Sequence, residues 1–170
     1  MKNQAFTLIE LLVVVLIIGI LAAIAVPQYQ KSVGKSRAIS IIPIVQSLVN
    51  AEEAFYLANG YYTSNIDDLD ISLPSVCQRK EGYTSVWACG EDFRIVVKTA
   101  GSVTASYCPG HNDSVECITK SYRDFAIRIA FSNPDTTENY DSTKEGYRPK
   151  ERLCIGKTDF GNKVCEGLTI

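Results

Sequence analysis

Histidine, tryptophan and methionine each occur once in this chain of 170 residues, which leaves little material for the common catalytic bases and metal centres. The one histidine, His111, lies in the turn composition Pro109-Gly110-His111-Asn112-Asp113 and reads as a solvated loop residue rather than a general base. No Walker loop, G-x-S-x-G or H-E-x-x-H is present, so no enzyme is expected. Close C-x₂₋₄-C pairs are also missing, which argues against a structural zinc site. No metal and no cofactor is expected. An excess of positive charge is lacking: the formal net charge is −2 and the pI about 5.5, so a nucleic-acid partner held by bulk charge is not expected. Internal repeats are absent, and the first 76 residues contain no cysteine.

Six cysteines are present, Cys77, Cys89, Cys108, Cys117, Cys154 and Cys165, with successive gaps of 12, 19, 9, 37 and 11 residues. That density in a short chain points to disulfide staples and an oxidising, extracytoplasmic compartment. The short gaps suggest the pairs Cys77–Cys89, Cys108–Cys117 and Cys154–Cys165, among about fifteen possible connectivities.

Residues 6–26 form a run of 21 positions in which only Thr7 is polar and only Glu10 is charged. As a helix this run spans roughly 30 Å, the hydrocarbon thickness of a bilayer. Three readings are open. It can be a secretory signal, with Lys2 as the positive start and Ala23-Ile24-Ala25 as a small-x-small cleavage pattern, although the run is long for a signal and contains Glu10. It can be a permanent anchor, with Glu10 costing a few kcal/mol in lipid. Or it can leave the membrane to pack against copies of itself. In that case cleavage between Ala5 and Phe6 gives a charged α-amine one turn from Glu10, and the Glu10 of one chain meets the amine of the next as a register device. The basic residues favour a cytoplasmic C-terminal side, since Lys31, Lys35 and Arg37 outnumber Lys2. The cysteines argue for the opposite orientation and carry more weight.

The stretches Ala5-Phe6-Thr7-Leu8-Ile9-Glu10-Leu11-Leu12-Val13-Val14 and Ile18-Gly19-Ile20-Leu21-Ala22-Ala23-Ile24-Ala25-Val26-Pro27 closely resemble the prepilin N-terminus of the type IV pilin and type II secretion pseudopilin superfamily. A weaker likeness continues through Ala51-Glu52-Glu53-Ala54-Phe55-Tyr56 and Asn59-Gly60-Tyr61-Tyr62. The leader ends in Ala5, where that family most often has glycine. The resemblance implies a leader of residues 1–5, a membrane and filament-core helix at 6–27, and a pilin head at 28–170. It implies that a prepilin peptidase cuts after Ala5 and methylates Phe6. Glu10 then serves subunit docking, and the stretch from Gly19 to Pro27 matches the part of a pilin helix that loses helical structure in fibres. The implied partners are copies of the chain itself, the peptidase, an inner-membrane assembly platform with its ATPase, and the membrane of the precursor. The implied location is the inner membrane, with the C-terminus outside, and then a filament at the cell surface. A pilus subunit is the leading expectation, favoured by the disulfide-rich head. A type II secretion pseudopilin is the alternative within the family, and calcium dependence of the fold would favour it. A membrane-anchored or secreted disulfide-rich binding module is the alternative of another class.

Beyond residue 28 the helix is expected to run to about Ala58 and to end at Asn59-Gly60, with Gly60 as the C-cap. Ala38, Ile41, Val45, Leu48 and Phe55 give its apolar stripe, and Lys31, Lys35, Arg37, Gln46, Asn50 and Glu53 its polar face. Pro43 is expected to kink or break it. Alternation predicts strands at 93–99 (FRIVVKT) and 125–131 (FAIRIAF), with weaker candidates at 103–107, 152–155 and 163–168. The expected fold is therefore α+β, a small antiparallel sheet laid on a long helix and stapled by disulfides. Residues 61–76 read as a loop with a short helical turn. Its Asp67, Asp68 and Asp70 lack the glycine and terminal glutamate of an EF-hand and read as a solvated turn. Residues 132–150 read as an exposed loop. Tyr56, Tyr61, Tyr62, Tyr83 and Trp87 have two readings, a binding or subunit surface and ordinary packing, with packing the leading one, and Asn112-Asp113-Ser114 fits a glycosylation acceptor pattern.

Overall fold

A single helix, α1 (Leu8–Asn59), runs through the whole architecture. The computed structural model describes residues 7–98, 101–110, 117, 123–132, 150–166, 168 and 170. Thr7 caps α1 at its start, and Gly60, in the left-handed region at φ 80°, caps its end by donating its N–H to the Tyr56 carbonyl at 2.7 Å. At 52 residues the helix is about 78 Å long. Both Pro27 and Pro43 lie inside it. The expected break at Pro43 does not occur. A proline removes one rung of the ladder, and α1 stays continuous across the gap.

After α1 come a 3₁₀ turn (Ile66–Asp68), strands β1 (Cys77–Arg79), β2 (Val86–Cys89), β3 (Phe93–Lys98), β4 (Ser102–Tyr107), β5 (Phe125–Ala130) and β6 (Arg152–Gly156), and helix α2 (Asp159–Cys165). The strands form one six-stranded antiparallel meander in chain order. Phe93, Ala105 and Ile127 mark its period: alternate residues of β3, β4 and β5 face the helix, and Phe93, Ile95, Val97, Val103, Ala105, Tyr107, Phe125, Ile127 and Ile129 join the buried cluster. Ala38, Ile41, Val45 and Leu48 supply the helix side of that core. Burial of each large side chain there contributes about 1.5–3 kcal/mol. Phe55, expected at the end of this stripe, is only half-buried, and Glu52 takes the inward position.

Two strands and one helix depart from expectation. β1 and β2 are too short to alternate visibly; Cys77 and Cys89 sit directly opposite each other in their register. The strand expected at 163–168 falls instead on the end of α2 and the residues after it. Thr158 caps that helix, its hydroxyl accepting from the Gly161 N–H at 3.0 Å, and Phe160 and Val164 share one face four residues apart. That face lies on Gly34 of α1, where a Cβ would come 2.6 Å from Val164 Cγ2 and 2.7 Å from Phe160 Cζ. Glycine at 34 lets the two helices close.

Candidate functional site

Among the described residues nothing packs on the N-terminal part of α1. Fourteen large apolar side chains from Leu8 to Val26 are 46–90% exposed, and the most apolar window of the helix is wholly uncovered. It is long and apolar enough to cross a membrane. Left in water, that surface forgoes on the order of 20 kcal/mol of transfer energy, more than the stability of an ordinary domain. Helix is the form such a segment takes in an apolar medium, where every backbone group needs an internal partner.

Glu10 is compensated within the chain. Its Oε2 accepts from the Thr7 N–H at 2.9 Å and from the Thr7 hydroxyl at 2.7 Å, while the Glu10 N–H donates to Thr7 Oγ1 at 3.3 Å. This is a capping box, and it places the carboxylate at the positive end of the helix dipole. Its signature, Thr7-x-x-Glu10, is plain in the sequence. Among the described residues Glu10 Oε1 has no hydrogen-bond partner. Ala5 and Phe6 lie outside the described residues, so the expected pairing of the Phe6 amine with Glu10 is not on view. Gly19 has no atom within 4 Å of where a Cβ would stand, and Pro27 lies where the bare stem meets the head.

The head is fixed to α1 by polar contacts as well as by its core. Arg37 Nη1 donates to Asp92 Oδ2 at 2.6 Å and to the Tyr107 hydroxyl, with its guanidinium 5.7 Å from the Tyr107 ring centre. Disulfides join Cys77 to Cys89, Cys108 to Cys117 and Cys154 to Cys165. The last ties β6 to α2. Asp67 pairs with Arg79, and Asp68 accepts from Thr63 and Asn65. Among the described residues no group of three acidic, histidine or cysteine side chains is arranged to hold a metal. His111 and Asn112-Asp113-Ser114 lie outside the described residues, as does most of 132–150.

Glu52 reads as a charged residue for the polar face, yet it follows Leu48 by four residues on the buried stripe and is fully buried. Its Oε2 accepts from the Thr63 N–H at 3.1 Å while Oε1 has no partner among the described residues. Burial pushes its pKa up to about 7, the Thr63 hydrogen bond opposes the rise, and the nearby Asp68 and Glu53 carboxylates add to it.

Residues 1–26 match the family model of the prokaryotic N-terminal methylation motif. Curated relatives extend the likeness. The chain is 37% identical over 133 residues to the type IV major pilin protein PilA of Myxococcus xanthus, covering 78% of this chain and 56% of that protein. It is 34% identical over 72 residues to the type IV major pilin protein PilE1 of Neisseria gonorrhoeae, covering 42% of this chain and 44% of that one. It is 50% identical over 58 residues to a fimbrial protein of Pseudomonas aeruginosa, covering 34% of this chain and 38% of that one. The chain thus spans only about half, or less, of the length of the curated relatives it matches.

Proposed function

We infer that this chain belongs with the type IV pilins, and we propose that it is a structural subunit of a type IV pilus-like filament, working by assembly rather than catalysis. The observation that carries the proposal is the division of α1. One half is built into a disulfide-stapled head, and the other is an uncovered apolar stem that lies within a match to a methylation motif. A stem of that kind needs lipid or other stems around it, and a filament subunit uses each in turn.

In the precursor, residues 6–26 span the inner membrane and the head folds and oxidises outside. A prepilin peptidase cuts between Ala5 and Phe6 and methylates the new amine. An inner-membrane platform then moves the stem from lipid into a bundle of identical stems. Glu10 of one subunit meets the Phe6 amine of its neighbour through Oε1, the oxygen that the Thr7 cap leaves unused. The pair sets axial register more than it adds stability, since a buried ion pair seldom outweighs an apolar contact. Gly19 gives a neighbouring helix close approach, and Pro27 supplies a weak rung where the stem can unwind. The names of the relatives, major pilins and fimbrial proteins, favour a pilus over a secretion pseudopilus.

The test is the mature N-terminus in the native cell, read by intact mass and terminal-peptide mass spectrometry. A chain starting at Phe6 and one methyl heavier is expected. A start at Met1 or Val26 overturns the proposal.

A further inference from the structure

The junction of stem and head contains a polar cleft that neither the core nor the capping box uses. Its volume is about 350 Å³, and Pro27, Gln28, Lys31, Phe160, Lys163 and Glu166 line it. Lys31 comes from α1 and Lys163 from α2, brought to one cleft because α2 closes on Gly34. Among the described residues neither lysine and no oxygen of Glu166 is in an ion pair.

The depth of the cleft is set by the helix. The apolar run ends at Val26 and Lys31 follows five residues later, a rise of about 7.5 Å. Hydrocarbon of about 30 Å within a bilayer of about 40–45 Å leaves about 5–7.5 Å of headgroup on each side. With the stem spanning the membrane, the Lys31 backbone therefore stands at the outer edge of the headgroup layer, its long side chain can reach down to the lipid phosphates, and Lys163 shares its cleft. Phe160 adds an apolar ring to the lining, and Glu166 a carboxylate.

We propose that this cleft holds the phosphodiester headgroup of one bilayer glycerophospholipid while the precursor spans the membrane, Lys31 and Lys163 donating to the phosphate oxygens. The proposal rests on the reading that residues 6–26 cross a bilayer. Each exposed lysine–phosphate ion pair is worth about fivefold in retention, equivalent to about 1 kcal/mol.

The experiment uses the full chain in detergent, with phosphatidylethanolamine, phosphatidylglycerol or diacylglycerol added and retained lipid counted by native mass spectrometry. Vesicle flotation is run in parallel. The expected result is one retained phospholipid of either headgroup in preference to diacylglycerol, falling about 25-fold in the Lys31→Gln/Lys163→Gln double variant while the melting curve is unchanged. A chain that floats with vesicles but holds diacylglycerol as well as phospholipid, or a double variant that retains as much as wild type, overturns the cleft and leaves the membrane span standing. A chain that does not float overturns the span, and the cleft with it.

Discussion

Replacing Glu52 by Gln should stabilise the head at neutral and alkaline pH. The side chain is fully buried, and its carboxyl is pushed up to about 7 from an ordinary value of 4.5. Between those two values the folded head holds a proton that the unfolded chain releases. Stability therefore falls as pH rises from 4.5 to 7, and it stays low above that. A tenfold change in proton affinity corresponds to about 1.4 kcal/mol, so about 2–3 kcal/mol is lost between pH 5 and pH 8. Glutamine keeps the volume and can accept the Thr63 N–H through its carbonyl oxygen, but it never ionises. The assay is thermal unfolding of the full chain in detergent, followed by circular dichroism at pH 5, 6, 7 and 8. Wild type and Glu52→Gln should melt close together at pH 5, and their separation should widen by roughly 6–9 °C at pH 8, at about 3 °C per kcal/mol for a chain of this size. Other carboxylates titrate in both proteins and cancel in the difference. A difference that does not grow between pH 5 and pH 8, or a variant less stable than wild type at pH 8, would refute the reasoning.

Three further perturbations follow from the packing. Gly34→Ala drives a methyl group into Val164 and Phe160; it should cost about 1–3 kcal/mol, seen as a lower urea midpoint and faster proteolysis around α2. Removing the link between β6 and α2 with Cys154→Ser/Cys165→Ser should cost about 2–4 kcal/mol by the same urea assay, whereas a change below half a kilocalorie would mean the core alone holds α2. Glu10→Ala should leave the head's melting curve and membrane insertion unchanged but reduce sheared filament yield by tenfold or more, and normal yield from that variant would remove Glu10 from assembly.

Much of the fold is legible in the sequence because periodicity is a direct trace of burial. Ala38, Ile41, Val45 and Leu48 recur at helical spacing and are the buried face of α1. β3 and β5 have six residues each, long enough for apolar residues at every second position to stand out, although the residues between them, Arg94 and Arg128 included, are buried too. β1 has three residues and β2 four, too few for a period, and only the Cys77–Cys89 spacing hints at a hairpin. The end of α2 reads as a strand because Lys163-Val164-Cys165-Glu166 sets apolar residues between polar ones by chance. The correct signals lie just before, in the Thr158-Asp159 cap and the Phe160/Val164 spacing. Glu52 follows Leu48 by four residues, so the same stripe that locates the core also points at a buried acid. Its charged identity suggests the wrong face, since a buried carboxylate is recognisable only once its surroundings are known. The stem is legible as a membrane-length apolar run, but the cleft at its foot is not, because Lys31 and Lys163 are brought together only by the closure of α2 on Gly34.

In the proposed filament assembly, the continuity of α1 has a mechanical consequence. Its two halves need different surroundings: lipid or other stems up to Val26, a folded sheet from Gly34 onward. Whatever pulls on the head pulls on the stem through the seven residues between them, which contain Pro27 and, among the described residues, no member of the buried core cluster. The Arg37 clamp to Asp92 and Tyr107, and α2 on Gly34, begin where that link ends. Force applied to the head is thus carried first by a segment with one missing backbone rung, while the helix inside the head is held by core, clamp and disulfide-tied α2. Extraction should unwind α1 around Pro27 before it loosens the head. Hydrogen exchange on filaments and on the membrane-held precursor checks this order: amides of residues 20–31 should lose protection in the filament while those of 38–52 remain protected in both. Equal loss across both stretches would show that the head, rather than the link, gives way.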